Sequence, residues 1–335
     1  MLCAIIICYN ESEAGEGMLQ IKFNRKTIRG SLARQLLKLL HRVKNVQQRS
    51  LVNFGRLYTT HLSADFDFPK NIEVTKVKTG NASVEIIQKK GDDHRYLIIQ
   101  LHGGAYVSGY NDTYRRSALN YLKITQKTSV MSLDYRLAPK NPYPAALEDA
   151  DAAFQYAIQL GYSPERIILV GDSAGGGLAL ALGLYLRDRQ RELPKAIITM
   201  SAWTDLAGEG ESYLVNDTLD PLLGAGTAPL DKKAYAKPEM WKDPYVSPAY
   251  GDYHNFTHLM MHVGSYEILE SDTLTVAKKA SDAGNPVKVT IYRGMFHVFQ
   301  LAFSLIPEAK KAWQEIDNFI AEMFGYADKK KKRGR

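Results

Sequence analysis

The run Gly171-Asp-Ser-Ala-Gly-Gly-Gly177 carries one hydroxyl, that of Ser173, between the apolar stretch Ile167-Ile-Leu-Val170 and a second apolar stretch from Leu178. The pattern G-x-S-x-G between a strand and a helix is that of a sharp turn. Glycines two residues either side relieve the crowding, and the serine is lifted above the sheet. The helix that follows aims its first amide hydrogens and its positive dipole end at any charge formed there. Such a serine suits attack on a carbonyl carbon, whereas a bystander serine in a glycine-packed turn is the plain alternative. A hydroxyl is a weak nucleophile at neutral pH, so the chemistry requires a base and an acid further along the chain.

The elbow geometry predicts the order serine, carboxylate, histidine. Of eight histidines, only His297 follows the last strand-like stretch, in Arg293-Gly-Met-Phe-His-Val-Phe299. Loops at the carboxyl ends of strands are where α/β sheets build their sites. The acid is sought after the preceding strand, where His262-Val-Gly-Ser-Tyr-Glu-Ile-Leu-Glu-Ser-Asp272 offers Glu267, Glu270 and Asp272. Glu267 stands nearest the strand end and is favoured, with Asp272 as the rival; all three also suit the first turn of a helix. Attack on a carbonyl creates an oxyanion. Its donors are expected from the amide of Ala174 and from the loop Gln100-Leu-His-Gly-Gly-Ala-Tyr106, where Gly103, Gly104 and Ala105 let the backbone turn its amides inward.

These residues need a scaffold. Short β-type runs near 72–78, 83–88, 96–101, 129–133, 167–171, 196–201, 258–263 and 287–292 alternate with helical patterns at 112–127, 145–160, 174–191, 272–283 and 307–324. That alternation predicts an α/β fold: an eight-stranded, mostly parallel sheet with helices on both faces. Residues 203–250, rich in Gly, Pro, Asp and Tyr, break the rhythm and are expected to form a cap or binding-loop insertion. From Lys22 to Arg56 there are ten Lys or Arg and no Asp or Glu. Within this span Leu32, Leu36, Leu39, Leu40, Val43 and Val46 recur at helical spacing. They predict an amphipathic helix whose apolar stripe lies over the protein's own core or active site, rather than on an anionic membrane.

The chain has 335 residues, 24% charged and 45% apolar, which excludes a disordered or fibrous protein. Its net charge of +7 comes mostly from six cations in the tail 329–335, so the body gives no footprint for nucleic acid. That tail, 327–335, is expected to be disordered. Both cysteines, Cys3 and Cys8, lie at the start, which fits a reducing, cytoplasmic compartment. The opening residues make a poor signal peptide, and Met18 offers a second plausible start, so 1–17 are read as a disordered or non-native beginning. No continuous apolar run is long enough to span a bilayer.

Taken jointly, His102-Gly-Gly-Ala105, Asp134-Tyr-Arg-Leu-Ala-Pro139, Tyr143-Pro-Ala-Ala-Leu-Glu-Asp149, Gly171-Asp-Ser-Ala-Gly-Gly176, Asp243-Pro-Tyr-Val-Ser-Pro248 and Gly294-Met-Phe-His-Val-Phe299 resemble the hormone-sensitive lipase family of α/β-hydrolases. The resemblance spans about 70–325. It implies the α/β-hydrolase fold, with a core at 61–202 and 251–326 and a helical cap built from 18–60 and 203–250. It also implies Ser173 as nucleophile, His297 as base, Gly104, Ala105 and Ala174 as oxyanion donors, and His102 as the residue that orders their loop. Aligned on this family, Glu267 falls at the acid position, a Glu where Asp is usual. Ala105 replaces the third glycine of the oxyanion loop and narrows its floor. The Asp134–Pro139 segment is expected to order a turn behind that loop.

The function expected is a serine carboxylesterase acting on short-to-medium acyl esters through an acyl-enzyme. Phe54, Tyr213, Tyr235 and Trp241 would shorten the pocket, and Leu57 and Tyr58 would help close it. Amide or peptide hydrolysis on the same three residues is the alternative, and a non-catalytic small-molecule binder is the alternative of another class. No cofactor or metal is implied. The expected partner is a small-molecule ester; nucleic acid and stable membrane association are not expected, and a homo-oligomer is compatible with the sequence.

Overall fold

Runs such as Ile167-Ile-Leu-Val170 and Ala196-Ile-Ile-Thr-Met200 are nearly continuous apolar stretches, as strands covered on both faces must be. A computed structural model describes residues 19–43, 66–125, 127–224 and 231–326. Among them nine strands form one sheet: β1 (Leu19–Asn24), β2 (Ile72–Thr79), β3 (Ala82–Lys89), β4 (Tyr96–Leu101), β5 (Thr128–Asp134), β6 (Ile167–Asp172), β7 (Ala196–Met200), β8 (His258–Gly264) and β9 (Val287–Tyr292). The spatial order is β1-β9-β8-β7-β6-β4-β5-β3-β2. Only the β2–β3 and β3–β5 pairs are antiparallel, so the expected hairpin closes one edge.

The longer helices are α1 (Ile28–Val43), α2 (Asp112–Ile124), α3 (Ala145–Gln159), α4 (Ala174–Asp188), α5 (Glu270–Asp282) and α6 (Pro307–Met323). Alternating strand residues divide the core into two layers, because successive side chains point to opposite faces. Ile98, Val130, Ile168 and Ile198 pack with Tyr121 and Leu122 of α2 and with Trp313, Ile316 and Phe319 of α6. Leu97, Ile99, Leu169 and Ile197 pack on the other face with α3, α4 and α5. Burying each such side chain contributes roughly 1.5–3 kcal/mol.

Two expectations for the N-terminal region are corrected. The sheet has a ninth strand, β1, inside the span assigned to cap helices. It pairs in parallel with β9 from Leu19↔Val287 to Asn24↔Tyr292. Leu19 and Ile21 turn towards the core while Lys22 reaches Glu315 at 2.6 Å. The second correction concerns α1, which packs through a smaller face than the leucine stripe. Gly30 lies so close to Met295 and Glu308 that a Cβ there would force them aside, and Ala33 and Leu37 pack against the same buried cluster, which runs from Tyr292 to Ala312. The short side chains permit close approach, so Leu32, Leu36 and Leu39 are left exposed. Residues 1–17, Val46, Phe54, Leu57, Tyr58 and the tail 327–335 lie outside the described residues, as does most of the second half of the expected 18–60 cap.

The 203–250 insertion contains the one-turn helices Ser212–Val215 and Lys232–Tyr235. It is tied to the segment after β8: Ser212 Oγ donates to Ile268 O, Asn216 Nδ2 to Glu267 O at 2.8 Å, and the Ile268 amide donates to Asp220 Oδ2 at 3.0 Å. No helix of the described residues is long and apolar enough to cross a membrane.

Candidate active site

The turn between β6 and α4 is built by exclusion of side chains. A Cβ at Gly171 would collide with Gly175 O, one at Gly175 with Leu101 O, and one at Gly177 with Trp203 O. Ser173 sits between them at φ 52° and ψ −123°, a conformation costly for any residue with a side chain. Backbone bonds hold it there: its amide donates to Met200 O at 3.0 Å, and its carbonyl accepts from Gly177 at 3.1 Å and Trp203 at 2.9 Å.

The loop after β9 brings His297 Nε2 to 2.9 Å from Ser173 Oγ. The loop after β8 brings Glu267 Oε2 to 3.0 Å from His297 Nδ1. With Nδ1 protonated, Nε2 is free to accept the serine proton. Glu267 is fully buried, and its Oε1 accepts from the Gly264 amide at 2.5 Å and from Ser201 Oγ at 2.8 Å. Burial raises the Glu267 carboxyl above its ordinary range, opposed by its bond to His297 and by the imidazolium charge. Burial works against charge on His297, yet the bond and charge of Glu267, with Asp220 and Asp172 beyond, raise the imidazole above its usual value.

The rival acid is engaged elsewhere. Asp272, buried in the first turn of α5, accepts from the amides of Thr204 at 2.7 Å and Asp205 at 2.8 Å through Oδ2, and so pins the start of the insertion. Glu270 accepts from Asn216 Nδ2 at 3.2 Å, and burial pushes its carboxyl up to about 7.

The loop after β4 corrects one sequence expectation. The amide of Gly103 is already donated, to Tyr114 Oη at 2.9 Å and to Asp172 Oδ1 at 3.2 Å, so Gly103 fastens the loop and is not free to receive an oxyanion. The amides of Gly104, Ala105 and Ala174 have no acceptor among the described residues. Gly104 turns at φ 113° and Ala105 at φ 52°. His102 is fully buried, donates from Nδ1 to Gly103 O at 2.8 Å and stacks on Tyr135 at 4.0 Å between ring centroids. Burial pushes it down to about 4, so it stays neutral and fixes the loop as a donor. Tyr135 Oη donates to His102 O at 2.8 Å, while Arg136 grips Asp149 at 2.9 Å, so the Asp134–Pro139 turn does buttress the loop from behind.

Sequence patterns did not single out Ser201, Asp172, Tyr114, Asn216 or Asp220. Asp172 follows one predicted strand and Ser201 ends another, each beside a site loop, which was the available signal. Tyr114 and the insertion residues act through contacts made only in three dimensions. Among the described residues no group of His, Cys, Asp and Glu is arranged to hold a metal ion.

Comparison with known proteins agrees with this fold. The α/β hydrolase fold family matches residues 98–301. An acetyl-hydrolase of Streptomyces hygroscopicus is 34% identical over 249 residues, 74% of this chain and 83% of that one. An esterase of Acinetobacter venetianus is 33% identical over 259 residues, 76% and 85% of the two chains. Among solved structures, a hormone-sensitive lipase from a metagenome library superposes with a TM-score of 0.80 at 30% identity, covering 90% of this chain and 99% of that one. The resemblance to hormone-sensitive lipases and the α/β-hydrolase fold expected from the sequence are therefore borne out.

Proposed function

This chain belongs to the α/β-hydrolase family, and on that premise we propose that it is a serine carboxylesterase for short-to-medium acyl esters. The observation that carries the proposal is the unbroken relay from Glu267 through His297 to Ser173, at 3.0 and 2.9 Å, beside three amides free to bind an oxyanion. His297 takes the Ser173 proton as the hydroxyl attacks the acyl carbon, and Glu267 stabilises the imidazolium that results. The amides of Gly104, Ala105 and Ala174 receive the tetrahedral oxygen. Return of the proton from His297 to the leaving alcohol gives an acyl-Ser173, and water activated by His297 then releases the acid. Each oxyanion donor of this kind is worth about 3–4 kcal/mol of transition-state stabilisation.

Preference for short acyl chains is supported by the acetyl-hydrolase relative. Tyr235, expected to shorten the pocket, is fully buried in the core and stacks on Tyr106 at 3.6 Å. Acyl profiling is expected to peak at roughly two to eight carbons, and a peak at laurate or longer would overturn that preference. Matched p-nitrophenyl esters and p-nitroanilides distinguish ester from amide hydrolysis; a higher kcat/KM for the anilide would reverse the assignment. We propose a cytoplasmic location for the activity.

A further inference from the structure

The acid and base loops are joined by a residue with no part in the relay itself. Ser201 follows the end of β7, is fully buried, and is held at φ 53°, a left-handed conformation that suits glycine better than serine. Its amide donates to His262 O of β8 at 2.7 Å. Its hydroxyl donates to Glu267 Oε1 at 2.8 Å and accepts from the amide of Val298, the neighbour of His297, at 3.0 Å. One side chain therefore grips the carboxylate and the backbone of the histidine loop together, from a third strand end.

We infer that Ser201 is a positioning residue for ester hydrolysis, setting the register between Glu267 and His297 through its single hydroxyl. The inference rests on Glu267 being the acid of the relay. A hydroxyl has one proton to give, and Val298 occupies an acceptor site, so the proton is directed at Glu267. With Gly264 and Ser201 both on Oε1, Oε2 is left to face Nδ1 of His297. Loss of the hydroxyl removes a donor from a buried carboxylate and strands the Val298 amide, which loosens the loop that carries the base.

The positive φ makes the test selective. Ser201→Gly deletes the hydroxyl at a position whose backbone glycine accepts without strain, and Ser201→Ala deletes it with the Cβ retained. In both, kcat for p-nitrophenyl acetate is expected to fall about 10- to 100-fold, with KM within about twofold. The acid limb of kcat/KM is expected to move to higher pH, because the lost hydrogen bond favoured the carboxylate most when its histidine was neutral. Ser201→Gly is expected to melt above Ser201→Ala, since both lose the same hydrogen bonds and only glycine relieves the positive φ. In a Glu267→Gln background, Ser201→Gly should add little further loss. Wild-type kcat in Ser201→Gly beside a collapsed Glu267→Gln enzyme would overturn this role and leave the acid assignment standing. Reduced kcat with an unmoved acid limb would make Ser201 merely structural. Wild-type kcat in Glu267→Gln would overturn the acid assignment, and the role of Ser201 with it.

Discussion

Gly103 and Asp172 meet across the mouth of the sheet: the Gly103 amide donates to Asp172 Oδ1 at 3.2 Å, and there is no room between them for even a methyl group. Asp172 also accepts from Tyr114 Oη at 3.2 Å. Asp172, the residue before Ser173, thus fixes the loop that carries the Gly104 and Ala105 amides. Gly103→Ala is expected to lower kcat about 10²- to 10³-fold, the scale of one lost oxyanion donor, with the far-ultraviolet circular dichroism unchanged. Activity near wild type would show that this fastening is dispensable.

The acid assignment separates Glu267 from Asp272. Glu267→Gln is expected to reduce kcat by about 10³- to 10⁴-fold, because the imidazole loses the partner that fixes its tautomer. Asp272→Asn keeps an acceptor for the Thr204 and Asp205 amides and should leave kcat close to wild type. Steady-state kinetics of the two variants decide the matter, and the reverse ranking would move the role to Asp272.

The pH dependence follows from the raised His297. Ester hydrolysis needs the neutral imidazole, so activity is lost as pH falls through a value above the ordinary histidine pKa of about 6.5. The acid limb of kcat/KM should therefore have its midpoint above that value. Asp172 contributes negative charge to this shift, and burial pushes its own carboxyl up to about 6. Asp172→Asn should accordingly move the limb to lower pH. A wild-type midpoint clearly below the ordinary value would contradict the electrostatics described for the site.

Much of this arrangement was legible in the sequence, for a physical reason. Strands buried on both faces are largely apolar, and a strand-to-helix elbow must be rich in glycine, so β4, β6, β7 and Ser173 announce themselves locally. The first strand did not, because Leu19-Gln-Ile-Lys-Phe-Asn24 is a short alternating run at the sheet edge beside a strongly basic segment. The face of α1 was misjudged because packing favoured the side carrying Gly30, Ala33 and Leu37, where glycine and alanine permit close approach, over the side carrying Leu32, Leu36 and Leu39. Gly103 was misassigned because its amide is taken by residues 11 and 69 positions away. Ser201 carried no local pattern, since its contacts join three strand ends that lie far apart along the chain.

Stability has its own test away from the site. Arg115 is buried with Glu85, Nη2 to Oε1 at 2.6 Å and Nε to Oε2 at 2.9 Å. Burial opposes the charge on Glu85, but Arg115 and Lys76 hold its carboxyl below the usual range. Arg115→Met keeps much of the volume and leaves Glu85 with Lys76 at 3.0 Å and Tyr110 Oη at 3.1 Å, so urea denaturation should show a loss of about 1–3 kcal/mol. The deficit should shrink in acid: the depressed Glu85 contributes stability above its unfolded pKa and loses it as pH falls through the folded one. An unchanged midpoint at neutral pH would contradict this account of the pair.

The account depends most on Ser173 being the atom that takes up the acyl group. Incubation with a p-nitrophenyl phosphonate, followed by peptide mass spectrometry, reads this directly. One equivalent of p-nitrophenol should be released per active chain, the adduct should map to Ser173, and Ser173→Ala should neither label nor hydrolyse esters. Complete inactivation with Ser173 unmodified, or ester turnover by Ser173→Ala at the wild-type rate, would contradict it.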